Sequence, residues 1–244
     1  MAYRKTKQVE ARLADNRNRI LAAARALVSE GGWPEAQVSH VAAAAGLATG
    51  TVYRYFPSKA DLFVEVLSIV SQREVDVMQA IADGAESPEQ RLRAAVTTFV
   101  ERAMRNRRLA YAMIAEPCER QIEAARLAYR HAISLQIMRI VQDGLATGEF
   151  RADVDPSIAA TVIVGGFMEG LIGPLSPLNT DFGHVSGTRG SQKPAAVHDL
   201  AGHIASVCCA AVAPLATTRA RTRASHLRPV SVAPAAPSTP RRSA

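Results

Sequence analysis

The sequence predicts an all-α protein, and three observations carry that prediction. Ala, Leu and Val dominate a chain of 244 residues that is 48% hydrophobic and 21% charged, enough apolar material to bury a real core. Apolar residues recur at i, i+3, i+4 and i+7, whereas the strict alternation of a half-buried strand is scarce. Helix start and stop residues fall between the periodic segments.

Each element follows from these signals. Residues 1–14 read as a flexible basic arm. Asp15 or Asn16 caps a first helix that runs to Glu30, with Ile20, Leu21, Ala24, Leu27 and Val28 on one face and Gly31-Gly32 as its stop. A second helix covers about Gln37–Ala45, with Val38, Val41, Ala42 and Ala45 inward, and Gly46 follows where a tight turn calls for positive φ. A short third helix runs from about Thr49 to Phe56, with Val52 and Phe56 inward, and Pro57 stops it. Ser58 then caps a long fourth helix reaching about Asp83, Asp61 completing a capping-box-like start. Pro88 suits the first position of a helix over about Glu89–Asn106, and a shorter helical segment spans Leu109–Ala115. A helix over about Glu119–Ala146 is apolar on more than one face, which marks it as central, and Gly148 closes it. Ser157–Gly173 is a nearly uncharged helix, 174–194 a long Pro/Gly/Ser/Thr loop, and Ala195–Val212 a last helix with an apolar stripe. From Pro214 onward Ala, Pro, Arg, Ser and Thr leave little to bury and predict disorder.

Bulk properties narrow the function classes. The net charge of +7 is unevenly spread: residues 1–60 balance to +5, 61–214 to −4 and 215–244 to +6. Basic ends beside a helical motif suit nucleic acid, although solvated faces and a tail produce the same balance. Three cysteines, Cys118, Cys208 and Cys209, suggest neither a disulfide framework nor a zinc cluster, and the expected setting is cytoplasmic. Met1–Asn18 is charged and lacks the apolar core of a secretory signal. The apolar run Ile158–Ile172 is bounded by Pro156 and Pro174, contains Glu169, and is shorter than the roughly 20 residues a spanning helix needs. It reads as a buried helix, so no membrane partner is expected. No nucleophile–base pair, metal motif or phosphate loop is present, so neither an enzyme, a metal site nor a cofactor is expected.

The segment Gln37–Lys59 has the anatomy of a helix-turn-helix. A support helix of small residues is joined through a glycine turn to a short helix that exposes Thr49, Gly50, Thr51, Tyr53, Arg54 and Tyr55. Hydroxyls reach phosphates and base edges, a Thr methyl meets a thymine methyl, and Gly50 admits close backbone approach. Tyr53 and Tyr55, at i and i+2, cannot both face one core. Lys59 opens the next helix, where its charge and the terminal amides suit a phosphate.

Here the sequence resembles the TetR family of bacterial regulators. The resemblance rests on VSHVAAAAGLATGTVYRYFPSKADLF, Val38 to Phe63, in which Gly46, Gly50, Thr51, Val52, Tyr53, Tyr55, Phe56, Lys59 and Leu62 fit the family pattern. It implies that Thr49, Thr51 and Tyr55 face double-stranded DNA, that Tyr53 and Lys59 contact phosphates, and that Gln37 and Ser39 add contacts. Ser39 departs from the longer polar group common at its position. The resemblance also implies a homodimer on a palindromic operator; the leading expectation is a repressor released by a small apolar or amphipathic ligand, the alternative a transcriptional activator or a ligand-independent DNA-binding regulator of the same family. The dimer surface is expected from the last two helices, where Gly166, Gly170 and Gly173 share a face; tight packing inside one subunit explains that face equally well. Candidate ligand-binding residues are Phe99, Tyr111, Met113, Glu116, Tyr129, Met138, Phe167 and Glu169, with Met104, Ile114, Ile133 and Met168 nearby in the pattern. Met and aromatic residues also make ordinary core. Glu116 and Glu169 stand out as acids within apolar stretches, where a buried carboxylate requires a partner. The full expectation is an arm at 1–14, a three-helix helix-turn-helix DNA-binding domain at 15–62, a helical-bundle ligand-binding and dimerisation domain at 63–213, and a tail at 214–244.

Overall fold

A computed structural model describes residues 7–179 and 194–215 of the chain. Every regular element among them is a helix: α1 Lys7–Gly31, α2 Val38–Ala44, α3 Thr49–Tyr55, α4 Lys59–Ala82, α5 Pro88–Arg105, α6 Arg107–Ile114, α7 Arg120–Thr147, α8 Pro156–Leu175 and α9 Pro194–Ala210. All lie within one unit that ends at Pro214. Residues 1–6 of the expected arm, the expected tail beyond residue 215, and most of the loop expected over 174–194 fall outside the described residues.

Two helices differ from the sequence reading. α1 begins at Lys7, well before the expected cap at Asp15. Gln8 to Ala14 contains good helix formers and neither Gly nor Pro, so the helix propagates back past Asp15, which pairs instead with Arg19 one turn on at 3.9 Å. α8 is 20 residues long and takes in both prolines that were expected to bound it. Pro156 sits in the first turn, where no intrahelical N–H is needed, and Asp155 caps it by accepting from the Ile158 amide at 2.8 Å. Pro174 lies in the last turn, where its carbonyl accepts from Arg107 at 2.7 and 3.0 Å. By length and composition α8 could cross a membrane. Here one face, including Ile163, Phe167 and Leu171, is buried in the helical bundle.

The caps explain the remaining boundaries. Ser58 and Asp61 form a reciprocal capping box at the start of α4, and Ser87 and Gln90 form a second at α5. Gly148 ends α7 at φ +77°, the left-handed conformation a side chain disfavours.

Two apolar cores result. The first gathers Ile20, Ala24 and Val28 of α1, Val41 of α2, Val52 of α3 and Leu62, Phe63 and Leu67 of α4. Leu109 and Ala112 of α6 and Ile122 of α7 join it. Trp33 closes it edge-on to Phe63, ring centroids 5.8 Å apart. The second core is built from α5, α7, α8 and α9, with Val75, Met78 and Ala82 from the far half of α4. α4 therefore threads both cores over its 24 residues, about 36 Å of helix. Tyr129 packs against both.

Candidate nucleic-acid interface and ligand cavity

The turn between α2 and α3 depends on one backbone conformation. Gly46 adopts φ +65°, and its amide and that of Leu47 donate to the carbonyls of Ala43 and Ala42 at 3.0 and 2.9 Å. The Ala45 carbonyl accepts from Arg19 of α1, a cation placed where the α2 dipole is negative. With α2 closed this way, Val52 and Phe56 plug the core, and Thr49, Gly50, Tyr53 and Arg54 are left exposed on the outer side of α3. Thr51 is half-buried. No atom lies within 4 Å of where a Cβ on Gly50 would sit, so the backbone there is open to an incoming surface.

Gln37 and Ser39 are exposed at the start of α2, although Gln37 also donates through Nε2 to the Pro34 carbonyl at 2.8 Å. Between Glu35 and Asp61 the sequence contains no carboxylate. From Gln37 to Arg54 the strip therefore presents hydroxyls, amides and a cation with no carboxylate of its own, a surface suited to a phosphate backbone.

Two residues sit differently from expectation. The Tyr55 ring packs against the first core, and its hydroxyl accepts from Asn16 of α1 at 3.3 Å. Only one of the two tyrosines, Tyr53 at 47% exposure, points fully outward. Lys59 is half-exposed, but its Nζ lies 3.5 Å from Glu119, the residue that precedes α7, and 5.9 Å from the centre of the Phe63 ring. A phosphate at Lys59 must compete with that carboxylate.

A cavity of about 290 Å³ lies where α1, α4, α5, α6, α7 and α8 converge. Each wall is one helical face: Phe99, Arg102, Ala103 and Asn106 at the end of α5, and Arg126, Tyr129, Arg130 and Ile133 from α7, both at i, i+3, i+4, i+7. Of the expected ligand residues, Phe99, Met113 and Tyr129 line it, together with Ile114, Ile133 and Met168. The others do not. Phe167 is fully buried behind Phe99, ring centroids 4.8 Å apart, and forms a second layer. Met104 is core, and Met138 packs half-buried on the second core. Tyr111 carries Arg108 over its ring at 5.9 Å. Glu169 is exposed, because the phase of α8 that buries Phe167, Met168 and Leu171 turns position 169 outward.

Glu116 is buried, and its partners belong to the protein. Its Oε2 accepts from the Trp33 amide at 2.9 Å, and its Oε1 pairs with Arg108, which also donates to the Gly31 carbonyl at 2.6 Å. The Ala112 carbonyl accepts from Trp33 Nε1 at 2.8 Å and from Arg126 at 3.1 Å. This polar latch ties the end of α1 to α6 and, through Arg126, to the cavity wall. The sequence reading missed the cavity arginines. Their signal was present as arginines recurring with aromatic and aliphatic residues on single helical faces.

Comparisons with known proteins bear on both regions. Residues 20–66 match the family of bacterial regulatory proteins of the tetR type, and residues 85–169 match the tetracyclin repressor-like C-terminal domain. The HTH-type transcriptional repressor KstR of Mycolicibacterium smegmatis is 40% identical over 103 residues, 41% of this chain and 48% of that protein. The match thus spans about half the length of such curated relatives. The fold is shared with the fatty acid degradation regulator FadR from Bacillus halodurans at 21% identity and TM-score 0.65, covering 80% of this chain and 94% of that one. It is also shared with FadR from Bacillus subtilis in complex with stearoyl-CoA, at 18% identity and TM-score 0.65, covering 80% and 98%.

Proposed function

Because the chain belongs to the TetR family of bacterial regulatory proteins, we propose that it is a homodimeric transcriptional repressor, released from a palindromic operator by a small apolar or amphipathic ligand. The observation that carries this reading is the pairing of an open, carboxylate-free face on α3 with an apolar cavity whose walls include α1 and α4. Thr49, Gly50, Thr51 and Arg54 are the proposed base-side contacts, with Tyr53 and Lys59 on phosphates, Gln37 and Ser39 beside them, and Tyr55 contributing its edge. One seven-residue helix reads few bases, so two copies about 34 Å apart on one face of the duplex supply the specificity.

The dimer is proposed through α8 and α9. Ile158 and Val162 on α8 and Val207 on α9 are 64%, 58% and 74% exposed. Gly166, Gly170 and Gly173 are also exposed on α8, where they allow a second backbone to come close. A symmetry mate covers this apolar surface.

α4 supplies the coupling. Lys59 begins it at the DNA side, and Val70 to Glu74 form cavity wall further along. A ligand that prefers a different placement of α4 lowers operator affinity by its differential affinity for the two states. The relatives concerned with fatty acids, one of them solved with stearoyl-CoA, favour an acyl compound. The proposed setting is the cytoplasm, with no membrane partner and no catalytic role.

A footprint of the purified protein on its own upstream DNA tests the reading. Two symmetric half-sites one helical turn apart, shortened or lost on adding effector, are expected. Protection of a single half-site by one chain, or of no duplex sequence, refutes it.

A further inference from the structure

Lys59, the proposed phosphate contact, meets a carboxylate brought from far along the chain: Glu119 Oε1 lies 3.5 Å from its Nζ. The other acids on the two helices nearby are claimed elsewhere. Asp61 accepts from the Ser58 amide and hydroxyl at 3.0 and 2.8 Å, Glu65 pairs with Arg17, and Glu123 pairs with Arg126 at 2.6 Å. Glu119 stands at the N-cap of α7, yet its side chain caps no amide there. Glutamate is not among the residues that cap well, and the first turn of α7 already has an acid, Glu123, to meet the helix dipole. Local helix chemistry therefore does not account for where this carboxylate points.

The place of Glu119 is fixed by its surroundings. Ile122, one turn on, is buried in the first core. Arg126 donates to the carbonyls of Glu116 and Ala112 at 2.7 and 3.1 Å, which clamps the corner between α6 and α7. Arg126, Tyr129, Arg130 and Ile133 of the same helix line the cavity, so α7 links the cavity wall to the carboxylate that faces Lys59. The pair itself keeps water: the two side chains are 32% and 46% exposed. Such a pair opens at small cost, and a phosphate can displace it.

We propose that Glu119 is an intrachain competitor for DNA phosphate: it holds Lys59 in the free protein and gives it up when a phosphate arrives. This rests on the proposed phosphate contact of Lys59 and adds the residue that tunes it. The placement of the start of α7 then sets how strongly Lys59 binds DNA. An exposed ion pair shifts an equilibrium by about fivefold at most, so Glu119 adjusts affinity and does not block binding.

Binding of the full chain to a fluorescein-labelled random-sequence duplex tests this, because sequence-independent affinity comes from phosphate contacts. Anisotropy is read at about 0.1 M KCl, where charges more than about 10 Å apart are largely screened. Glu119→Gln is expected to bind about three- to fivefold more tightly than the wild type. Glu119→Asp is expected to do the same although it keeps the charge. Aspartate is a preferred N-cap, and its shorter side chain turns back onto the α7 amides and away from Lys59. In a Lys59→Ala background both substitutions are expected to change affinity by less than about 1.5-fold. Circular dichroism and Trp33 fluorescence confirm that each variant is folded. Tightening that persists without Lys59, or a Glu119→Asp variant that binds like the wild type, marks general charge repulsion and overturns the proposal. If Glu119→Gln leaves affinity unchanged while Lys59→Ala weakens it, the competitor is wrong and the phosphate contact stands. If Lys59→Ala itself binds like the wild type, both fall.

Discussion

Glu116 offers the sharpest test of how the first core is tied to the cavity. Replacing it with Ala removes the acceptor of the buried Trp33 amide and the partner of Arg108 together. Arg108 has little else to rely on: its Nη1 is buried without a hydrogen-bond partner, and its remaining contacts are the Gly31 carbonyl and the Tyr111 ring. Breaking a buried ion pair from one side costs about 3–5 kcal/mol, and an orphaned buried N–H about 1–3 kcal/mol. The two side chains keep 15% and 11% of their exposure, so water relieves part of this, and about 3 kcal/mol is expected in all. For a chain of this size that is a fall in Tm of about 6–12 °C. Glu116→Gln keeps an acceptor for Trp33 and loses only the charge pair, so about half the effect is expected. Trp33 is the sole tryptophan, and its fluorescence during urea unfolding reads the event directly. A cost below about 1 kcal/mol for Glu116→Ala, or equal costs for the two variants, refutes the latch.

The other expectations are smaller. Ser58→Ala removes the acceptor of the Asp61 amide at 3.0 Å and should cost about 1 kcal/mol in urea unfolding; an unchanged midpoint contradicts the capping box. Lys59→Ala should weaken operator and random duplex alike and shrink the slope of log K against log salt by about one, and a loss confined to one sequence would point to base reading instead. Burial pushes the Cys208 thiol up from 9.0 to about 11, so it should resist maleimide at pH 8 unless the chain is denatured. Stability from this group is complete below pH 9.0 and is lost as pH rises through about 11, and rapid labelling of folded protein at neutral pH contradicts the shift.

Local chemistry made most of the fold legible. The glycine turn at Gly46, the Ser58–Asp61 box and the left-handed Gly148 are each decided by a few adjacent residues, and the structure has all three. Where longer context decides, the sequence misleads. Asp15 looks like a cap because it is acidic and precedes an apolar face, yet nothing before it stops the helix. Pro174 looks like a terminator, yet α8 runs one residue past it to Leu175. Tyr53 and Tyr55 show the same limit on a smaller scale. The i, i+2 spacing says that they diverge, but the partners of the inward one, the first core and Asn16 of α1, lie far away in sequence.

The cavity was legible as a set of faces and illegible as a place. Phe99 and Tyr129 were readable because Met and aromatic residues on helical faces announce themselves. An arginine at the edge of such a face ordinarily snorkels to water, and nothing local distinguishes Arg105 from that common case. What distinguishes it is convergence. Arg25 lies in the first helix, and the next lining residue in the chain is Val70, so no window of sequence contains both. Glu169 makes the converse point: an acid in an apolar run looks buried, but a helix with one open face has somewhere to put it. Charge inside an apolar pattern therefore has two resolutions, an exposed face or a shared cavity, and only the packing of several helices decides between them. Here it sends Glu169 outward and places six arginines along a cavity whose one lining carboxylate, Glu74, is engaged by Arg102.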